Sequence, residues 1–182
     1  MTRALSRIAL GMQECLYIGN LSSRRDWGHA RDYVRAMYLI NQQDEPDDYV
    51  IATGVTTSIR DFIRMSAGEV GLEISFRGEG SEETGALTAV DEKVYAEKTG
   101  VDAGAIRQRI GSEVVKVNPR YFRPTEVDML IGDATKARER LGWEPEYDLA
   151  GLVREMMASD MKLMRRDDHL RSGGFRVMNY FE

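Results

Sequence analysis

The spacing of apolar positions changes several times along the chain, and each change marks a different expected element. Apolar residues spaced i, i+3, i+4 and i+7 predict amphipathic helices. These helices begin near residues 2, 30, 58, 134 and 148. In the helix near residue 30 the apolar residues share one face, and we expect that face to point into the core. They are Ala30, Tyr33, Val34, Met37 and Tyr38.

Three short apolar runs predict β-strands, at residues 15–21, 48–54 and 72–78. The run at 48–54 gives the strongest signal because its apolar residues are continuous. We expect that strand to be buried on both faces in a parallel sheet. Since strands and helices alternate in this region, the expected fold class is α/β.

Residues 79–115 interrupt this order. They are acidic and glycine-rich at first and weakly helical afterwards, which predicts an excursion on the surface. The main domain is therefore expected to cover residues 1–166. Residues 167–182 are interpreted as a polar linker followed by an apolar tail that needs a partner surface.

Composition narrows the possible functions. The 182 residues are 42% hydrophobic and 30% charged, as in a soluble globular domain. The net charge of -5 argues against a general affinity for nucleic acid. No apolar run approaches the roughly 18 residues that a membrane span needs. The single cysteine, Cys15, excludes an internal disulfide and fits a reducing, cytoplasmic setting.

Soft metal ligands are scarce. Besides Cys15 the chain has two histidines, His29 and His169, which are too few for a structural zinc site. Cys15 enters an apolar run, so buried packing is favoured over a cysteine–histidine nucleophile. His29 could act as a general base near neutral pH. Its position where a helix begins favours a hydrogen-bonded structural role.

The sequence contains none of the usual nucleotide-cofactor motifs. No G-x-G-x-x-G follows a strand, and no G-x-x-x-x-G-K-[ST] occurs. No Tyr-x-x-x-Lys pair is present to exchange a proton with a sugar oxygen. The chain therefore has the character of a substrate-binding half without its catalytic half.

Two neighbouring arginines give the first candidate site. Arg24 and Arg25 lie between a predicted strand and a predicted helix, where guanidinium groups can be directed at phosphate. Asp26 could accept hydrogen bonds from backbone donors or orient an arginine, and Trp27 could wall a pocket. A solvated loop with one buried tryptophan is the alternative, and these four residues alone do not exclude it.

Arg123 and Glu126 give the second candidate site. Pro124 favours an extended backbone at the residue before it, so the segment is stiffened. An arginine and a glutamate three residues apart suit a diphosphate and a neighbouring ribose. An internal salt bridge between them is an equal alternative, and it would contribute about 0–1 kcal/mol at the surface.

Six segments, taken in order, resemble the GDP-mannose 4,6-dehydratase family of the extended short-chain dehydrogenase/reductase group. They are "LYIGNL", "RRDWGHARDYVRAM", "DEPDDYVIATG", "YFRPTEVDMLIGD", "KARERLGWEP" and "LVREMMASDMKLM". The resemblance runs from Thr2 to about Met164, with a gap over residues 89–114. "RDWGHA" with "ATG" and "YFRPTEVD" is the more specific part, because "RDW" alone is shared with other nucleotide-sugar dehydratases.

The resemblance implies the C-terminal substrate-binding part of an extended Rossmann-type, NAD(P)-binding nucleotide-sugar enzyme, with the dinucleotide-binding half outside this sequence. The family oxidises the mannose of GDP-mannose at C4, eliminates water across C5–C6 and returns the hydride to C6. Its NADP site and its catalytic Thr, Glu, Tyr and Lys lie in the other half. The chain on its own is therefore expected to bind GDP-mannose and to be catalytically inert. A homo-oligomer and a Rossmann-half partner are also implied.

Residue by residue, the resemblance assigns only substrate contacts. Arg25 and Arg123 correspond to diphosphate ligands, Glu126 to a ribose ligand, and Gly19 with Asn20 to a turn near the nucleotide. Arg24 aligns with a basic residue and is the weaker candidate. Two other readings stay open: a binding fragment or split subunit without catalysis, and a related GDP-sugar epimerase or reductase.

Overall fold

A computed structural model describes residues 1–127 and 129–177. This part of the chain contains seven helices, six strands and a short 3-10 turn at Gly80–Glu82. The helices are α1 (Thr2–Ala9), α2 (Ala30–Ile40), α3 (Ile59–Gly68), α4 (Glu92–Thr99), α5 (Gly104–Arg107), α6 (Thr135–Leu141) and α7 (Leu149–Ser172). The strands are β1 (Leu16–Ile18), β2 (Arg24–Asp26), β3 (Thr56–Ser58), β4 (Leu72–Arg77), β5 (Thr84–Val90) and β6 (Glu113–Val117).

The strands form two sheets. The larger sheet is mixed and has the order β1-β6-β5-β4. β1 and β6 are parallel, with Leu16 opposite Val115, whereas β5 runs antiparallel to both of its neighbours. The smaller sheet pairs β2 with β3 antiparallel, with Arg25 opposite Thr57. The carboxyl ends of β1 and β6 thus lie side by side.

The main core lies between the larger sheet and helices α1, α3 and α7. Its fully buried residues include Leu5, Phe62, Leu87, Val115 and Met157. Each such side chain stabilises the fold by about 1.5–3 kcal/mol relative to an exposed position. The predicted helix at the start of the chain is confirmed, because α1 buries its apolar side against this core.

The helices predicted to begin near residues 58 and 148 are confirmed, and the local contacts at three helix ends show why these helices begin or stop. The Ser58 hydroxyl accepts from the backbone N–H of Asp61 at 3.0 Å, which closes the N-terminus of α3. The Asp148 carboxylate accepts from the N–H of Gly151 at 2.7 Å and begins α7 in the same way. Gly142 ends α6 in the left-handed region, with φ +61°.

The predicted surface excursion over residues 79–115 is wrong. This segment supplies β5 and most of β6, the two central strands of the larger sheet. Leu87 and Val115 are fully buried, and the Tyr95 hydroxyl donates to the carbonyl of Ala9 at 2.5 Å. The strand signal in the sequence is weak because β5 is built largely from small residues, which gain burial only from their partners.

The predicted strand at residues 48–54 is also corrected. Within the described residues this run has no ladder partner, and Val50 is 53% exposed. The predicted inward face of α2 is exposed as well, with Val34, Met37 and Tyr38 at 61–63%. α2 buries Asp32 and Ala36 instead.

Asp32 explains why α2 turns its apolar face outward. Its carboxylate accepts from the backbone N–H groups of Glu146 and Tyr147, and its carbonyl accepts from the Trp143 indole at 2.9 Å. Two contacts to the buried carboxylate and one to the backbone carbonyl fix the orientation of the helix. Ala36 and Trp143 belong to a second, smaller core. Its buried residues are Ala36, Ala52, Ala134, Ala137, Leu141 and Trp143.

The expected boundary after residue 166 falls inside a helix. α7 continues to Ser172, and Asp167 is 3% exposed on its inner side. The predicted polar linker is therefore helical over most of its length, because buried positions still recur at helical spacing among its charged residues. The predicted apolar tail begins at Phe175, which is exposed, and residues 178–182 of that tail lie outside the described residues.

Cys15 is buried and free, and burial raises the pKa of its thiol. The predicted packing role of this cysteine is confirmed. Across residues 1–127 and 129–177, no helix is long and apolar enough to cross a membrane. The same residues contain no cluster of three or more His, Cys, Asp or Glu side chains that could hold a metal ion.

Candidate functional site

The loops that follow β1 and β6 meet at the carboxyl edge of the parallel pair. The N–H of Asn118 donates to the carbonyl of Ile18 at 2.8 Å, which continues the β1–β6 pairing into the loops. The Asn20 side chain then donates to the carbonyl of Arg123 and accepts from its N–H, both at 2.8 Å. In open α/β sheets, ligands bind at such carboxyl edges.

Gly19 allows these two loops to approach each other. A Cβ atom at this position would lie 2.5 Å from the carbonyl oxygen of Tyr121, closer than real Cβ atoms come to backbone. The requirement for glycine here comes from this close approach. Gly19 therefore shapes the site through its backbone, and Asn20 does so through its side chain.

A cavity of about 310 Å³ lies between the two loops and the small sheet. Five of the six residues predicted from sequence line it: Gly19, Asn20, Arg25, Arg123 and Glu126. Arg120 and Tyr121 also line it and were not predicted. Arg120 lies three residues before Arg123 in the same basic loop, so this local repetition of arginine was the available signal.

Arg25 and Glu126 form the central contact of the cavity. Arg25 Nη2 lies 2.9 Å from Glu126 Oε1, and both side chains are mostly buried. Arg25 Nη1 donates to the carbonyls of Arg24 at 2.8 Å and Val127 at 3.2 Å. Carbonyl acceptors thus fix one side of the guanidinium and leave the other directed at the carboxylate.

Arg123 approaches the same carboxylate from the other side. Its Nη1 lies 3.8 Å from Glu126 Oε2, and its side chain is 76% exposed. The salt bridge between Arg123 and Glu126 weighed from sequence is present, but it is long and exposed, so its contribution to stability is small. The Glu126 carboxylate thus occupies a position between two guanidinium groups. An anionic group of similar size, such as a phosphate, would find the same donors there.

Arg24 is directed away from the cavity. Its Nε donates to Thr56 Oγ1 at 3.1 Å and its Nη2 to the carbonyl of Thr56 at 2.6 Å. Because successive side chains of a strand point to opposite faces, Arg24 and Arg25 cannot face the same pocket. Of the sequence-predicted set, Arg24 is the residue that the structure does not bring to the cavity.

His29 is a structural residue, as its sequence position suggested. It is buried at the N-terminus of α2, where Nδ1 accepts from the N–H of Arg31 at 3.1 Å. Since Nδ1 accepts, Nε2 carries the proton and donates to Glu155 Oε2 at 3.1 Å. The ring also stacks on Tyr147, with centroids 4.0 Å apart. Both nitrogens are therefore engaged in holding the fold.

The described residues do not fit a dinucleotide cofactor. Such a site needs a strand that leads through a glycine-rich turn into the N-terminus of a helix. Neither parallel strand does this, because β1 leads to β2 and β6 leads to the loop carrying Arg123. The N-terminus of α3 is already closed by Ser58 and the carboxylate of Asp61. Cofactor chemistry is therefore not assigned to these residues.

The α/β fold of the chain corresponds to part of two larger solved proteins. A solved structure of RMD from Pseudomonas aeruginosa, complexed with NADPH, superposes with a TM-score of 0.58 at 17% identity. UDP-glucose 4-epimerase from Thermotoga maritima, solved with UDP-glucose, gives 0.53 at 20% identity. The chain is covered over 90% and 88% of its length, and it covers 41% and 38% of theirs. The expected α/β fold class is confirmed.

Sequence comparison then identifies the family. The sequence model of the GDP-mannose 4,6 dehydratase family matches residues 1–156. The GDP-mannose 4,6-dehydratase of Yersinia enterocolitica is 45% identical over 97% of the chain, and that of Sinorhizobium fredii 50% identical over 91%. The human GDP-mannose 4,6 dehydratase is 41% identical over 91%. The chain belongs to the GDP-mannose 4,6-dehydratase family, and it spans 39–45% of the length of these three relatives.

Proposed function

We propose that the chain is the nucleotide-sugar-binding part of a GDP-mannose 4,6-dehydratase. The whole enzyme would be a lyase that converts GDP-mannose to GDP-4-keto-6-deoxymannose, with NADP as the hydride carrier. This chain would bind the substrate and supply no catalytic residue. The observation that carries the proposal is the meeting of Arg25, Arg123 and Glu126 at one cavity.

In this proposal Arg25 and Arg123 bind the diphosphate, and Glu126 accepts from the ribose hydroxyls. The distances support the division of roles, because the diphosphate can replace Glu126 between the two guanidinium groups. The carboxylate is then released to accept from the sugar. Gly19 and Asn20 hold the two loops at the spacing that the nucleotide requires.

Calorimetric titration with GDP and with GDP-mannose tests the assignment. The unmodified chain is expected to bind both. Arg25→Ala, Arg123→Ala and Glu126→Ala should each weaken binding by about tenfold or more, since a hydrogen bond to a charged group contributes roughly 1.5–3 kcal/mol. Exposed Arg123 should show the smallest loss, because solvent screens its charge.

Arg107→Ala is the matched control for these titrations. Arg107 is an exposed arginine that is ion-paired to Glu92 at 3.1 Å, and it does not line the cavity. Its removal lowers the net charge by one, as Arg25→Ala and Arg123→Ala do, but should leave the affinity unchanged. Equal affinity in all five proteins, the unmodified chain included, would refute the pocket assignment.

We further propose that the chain works together with a dinucleotide-binding half. The support is an exposed apolar surface formed by α2, with Val34, Met37 and Tyr38, and by the unpaired run at residues 48–54. Gly132 lies against this run, since a Cβ there would be 2.6 Å from Cβ of Ala52. Apolar patches of this kind mark interaction sites. A subunit that binds the nucleotide sugar without catalysis would use the same surface.

A further inference from the structure

β2 presents its three side chains to two different environments. Arg25 points into the cavity, whereas Arg24 and Asp26 lie on the opposite face of the strand. Both of these outer residues contact the segment that leads into β3. Arg24 contacts Thr56, and Asp26 contacts the turn just before it.

The Asp26 carboxylate holds that turn with three hydrogen bonds. Oδ1 accepts from the N–H of Thr53 at 3.1 Å and from its hydroxyl at 2.7 Å. Oδ2 accepts from the N–H of Gly54 at 2.8 Å. Gly54 has φ +80°, so the backbone here is in a conformation that other residues rarely adopt. The carboxylate therefore fixes a turn at the entry of β3 that requires glycine.

Arg25 depends on this turn because its strand has little other support. β2 and β3 each contain three residues and pair only with each other as strands in the described part of the chain. A two-stranded sheet is marginal by itself, so side-chain anchors at its ends carry much of its order. Asp26 and Arg24 are such anchors, and Asp26 does not line the cavity.

We propose that Asp26 is a positioning residue for the nucleotide-sugar site. It acts on the ligand only through the 53–54 turn, which sets the β2–β3 register and so directs Arg25 toward Glu126. This inference rests on the proposed function, since it assumes that Arg25 binds the diphosphate. It adds a residue and a turn that the binding assignment does not contain.

The test is GDP affinity in Asp26→Asn and Asp26→Ala. Asn keeps one carbonyl acceptor but places an amide NH₂ toward the bonds of the turn, so at least one hydrogen bond is lost. We expect about tenfold weaker binding for Asp26→Asn and a larger loss for Asp26→Ala, since small misplacements of a ligand-binding group are costly. Titrations are compared at temperatures where each protein is fully folded.

The direction of the change in GDP affinity distinguishes a positioning role from a purely electrostatic effect. Asp26 is a negative charge next to Arg25 in sequence, so removing it should strengthen the binding of a diphosphate if charge alone decides. Positioning predicts weaker binding. Tighter or unchanged GDP binding by Asp26→Asn would overturn the inference.

Asp133→Asn is the matched control. Asp133 Oδ1 accepts from the N–H and hydroxyl of Thr135 at 2.9 and 2.6 Å, which reproduces the Asp26–Thr53 contact at the start of α6. Asp133 does not line the cavity, so its variant should lose local order and keep GDP affinity. An equal loss of affinity in both variants would reduce Asp26 to a general stability role.

A measurement without ligand tests the positioning role of Asp26 independently of the proposed function. Side-chain ¹H–¹⁵N spectra report the environment of the Arg25 guanidinium, assigned by its disappearance in Arg25→Lys. Asp26→Asn should shift this resonance, and Asp133→Asn should not. If the unmodified chain fails to bind GDP, the proposed function fails, and the resonance still decides whether Asp26 positions Arg25.

Discussion

Ser58 and Asp61 hold the start of α3 next to the candidate site. The Ser58 hydroxyl accepts from the Asp61 N–H and lies 2.6 Å from its carboxylate. Ile59, the first residue of the helix, lines the cavity. The hydrogen bond from the Ser58 hydroxyl lowers the pKa of the Asp61 carboxyl below its usual value, and Arg64 lowers this pKa further. The Ser58–Asp61 pair thus caps the helix and holds its first residue, Ile59, in the wall of the cavity.

Asp61→Asn should make the free energy of unfolding less dependent on pH in the acid range. The folded-state pKa of Asp61 is depressed, so its contribution is present above the unfolded pKa of about 3.9 and is lost as pH falls through the folded value. We expect a loss of about 0.5–1 kcal/mol at pH 7, reduced by solvent screening. Denaturant unfolding at pH 7 and near pH 3 measures both effects.

Asp44→Asn serves as the control for this acid effect, because Asp44 is exposed. Its unfolding free energy should follow that of the unmodified chain at both pH values. If Asp61→Asn loses as much stability between pH 7 and pH 3 as the unmodified chain, the pKa assignment is wrong.

At the scale of elements, the middle of the sheet comes from the segment whose sequence is least strand-like. β5 lies between β4 and β6, and its Leu87 is fully buried in the main core. Removing that side chain leaves a cavity that close-packed neighbours fill only in part. The stability of the whole domain should therefore depend on this strand.

Leu87→Ala should destabilise the protein by about 2–5 kcal/mol, as expected for a large-to-small change in a core. Ile110→Ala, at an exposed residue in the same part of the sequence, is the control and should change stability little. Chemical denaturation measures both variants. A loss below about 1 kcal/mol for Leu87→Ala would place β5 outside the core.

Features that depend on neighbouring residues could be predicted from the sequence, whereas features that depend on distant residues could not. The caps at Ser58 and Asp148 and the turn at Gly142 were predictable because each depends on neighbouring residues. β5 was not, since its small residues become buried only through partners distant in sequence. Arg25, Arg123 and Glu126 were candidates because guanidinium and carboxylate groups have specific chemical uses in short motifs, whereas Gly19 and Asn20 came from the family resemblance. Arg24 does not face the cavity because residues 24–26, predicted to be a loop, form a strand in which successive side chains point to opposite faces.

At the scale of the whole molecule, the smaller core leaves apolar residues exposed to solvent on one side of the chain. α2 and α6 pack around Trp143, while the run at 48–54 keeps Val50 exposed. An exposed apolar run without a ladder partner offers a site for contact with another chain. In the proposed complex, a partner element would cover this surface.

The isolated chain should not turn over GDP-mannose when NADP is added, because no hydride-carrier site is assigned to it. Adding the part of the Yersinia enterocolitica relative that this chain does not match should give a complex, detected by size-exclusion chromatography, and activity, measured by product formation. Turnover by the isolated chain would contradict the prediction.

Two exposed valines test which surface the partner uses. Val50→Asp should weaken the complex, since it places a charge on the exposed apolar surface. Val101→Asp introduces the same change at another exposed valine and should leave the complex intact. A partner that binds both variants equally well would be using a different surface.

The paired hydrogen bonds between Asn20 and Arg123 also set the moment at which the site can exist. The two residues lie 103 positions apart, so the loops meet only after a long stretch of chain has closed on itself. During synthesis, Arg25 is made long before Glu126, and it lacks its carboxylate partner until residue 126 has left the ribosome. GDP binding would therefore report that the loops after β1 and β6 have met, and nascent chains stopped before residue 126 should not bind the nucleotide.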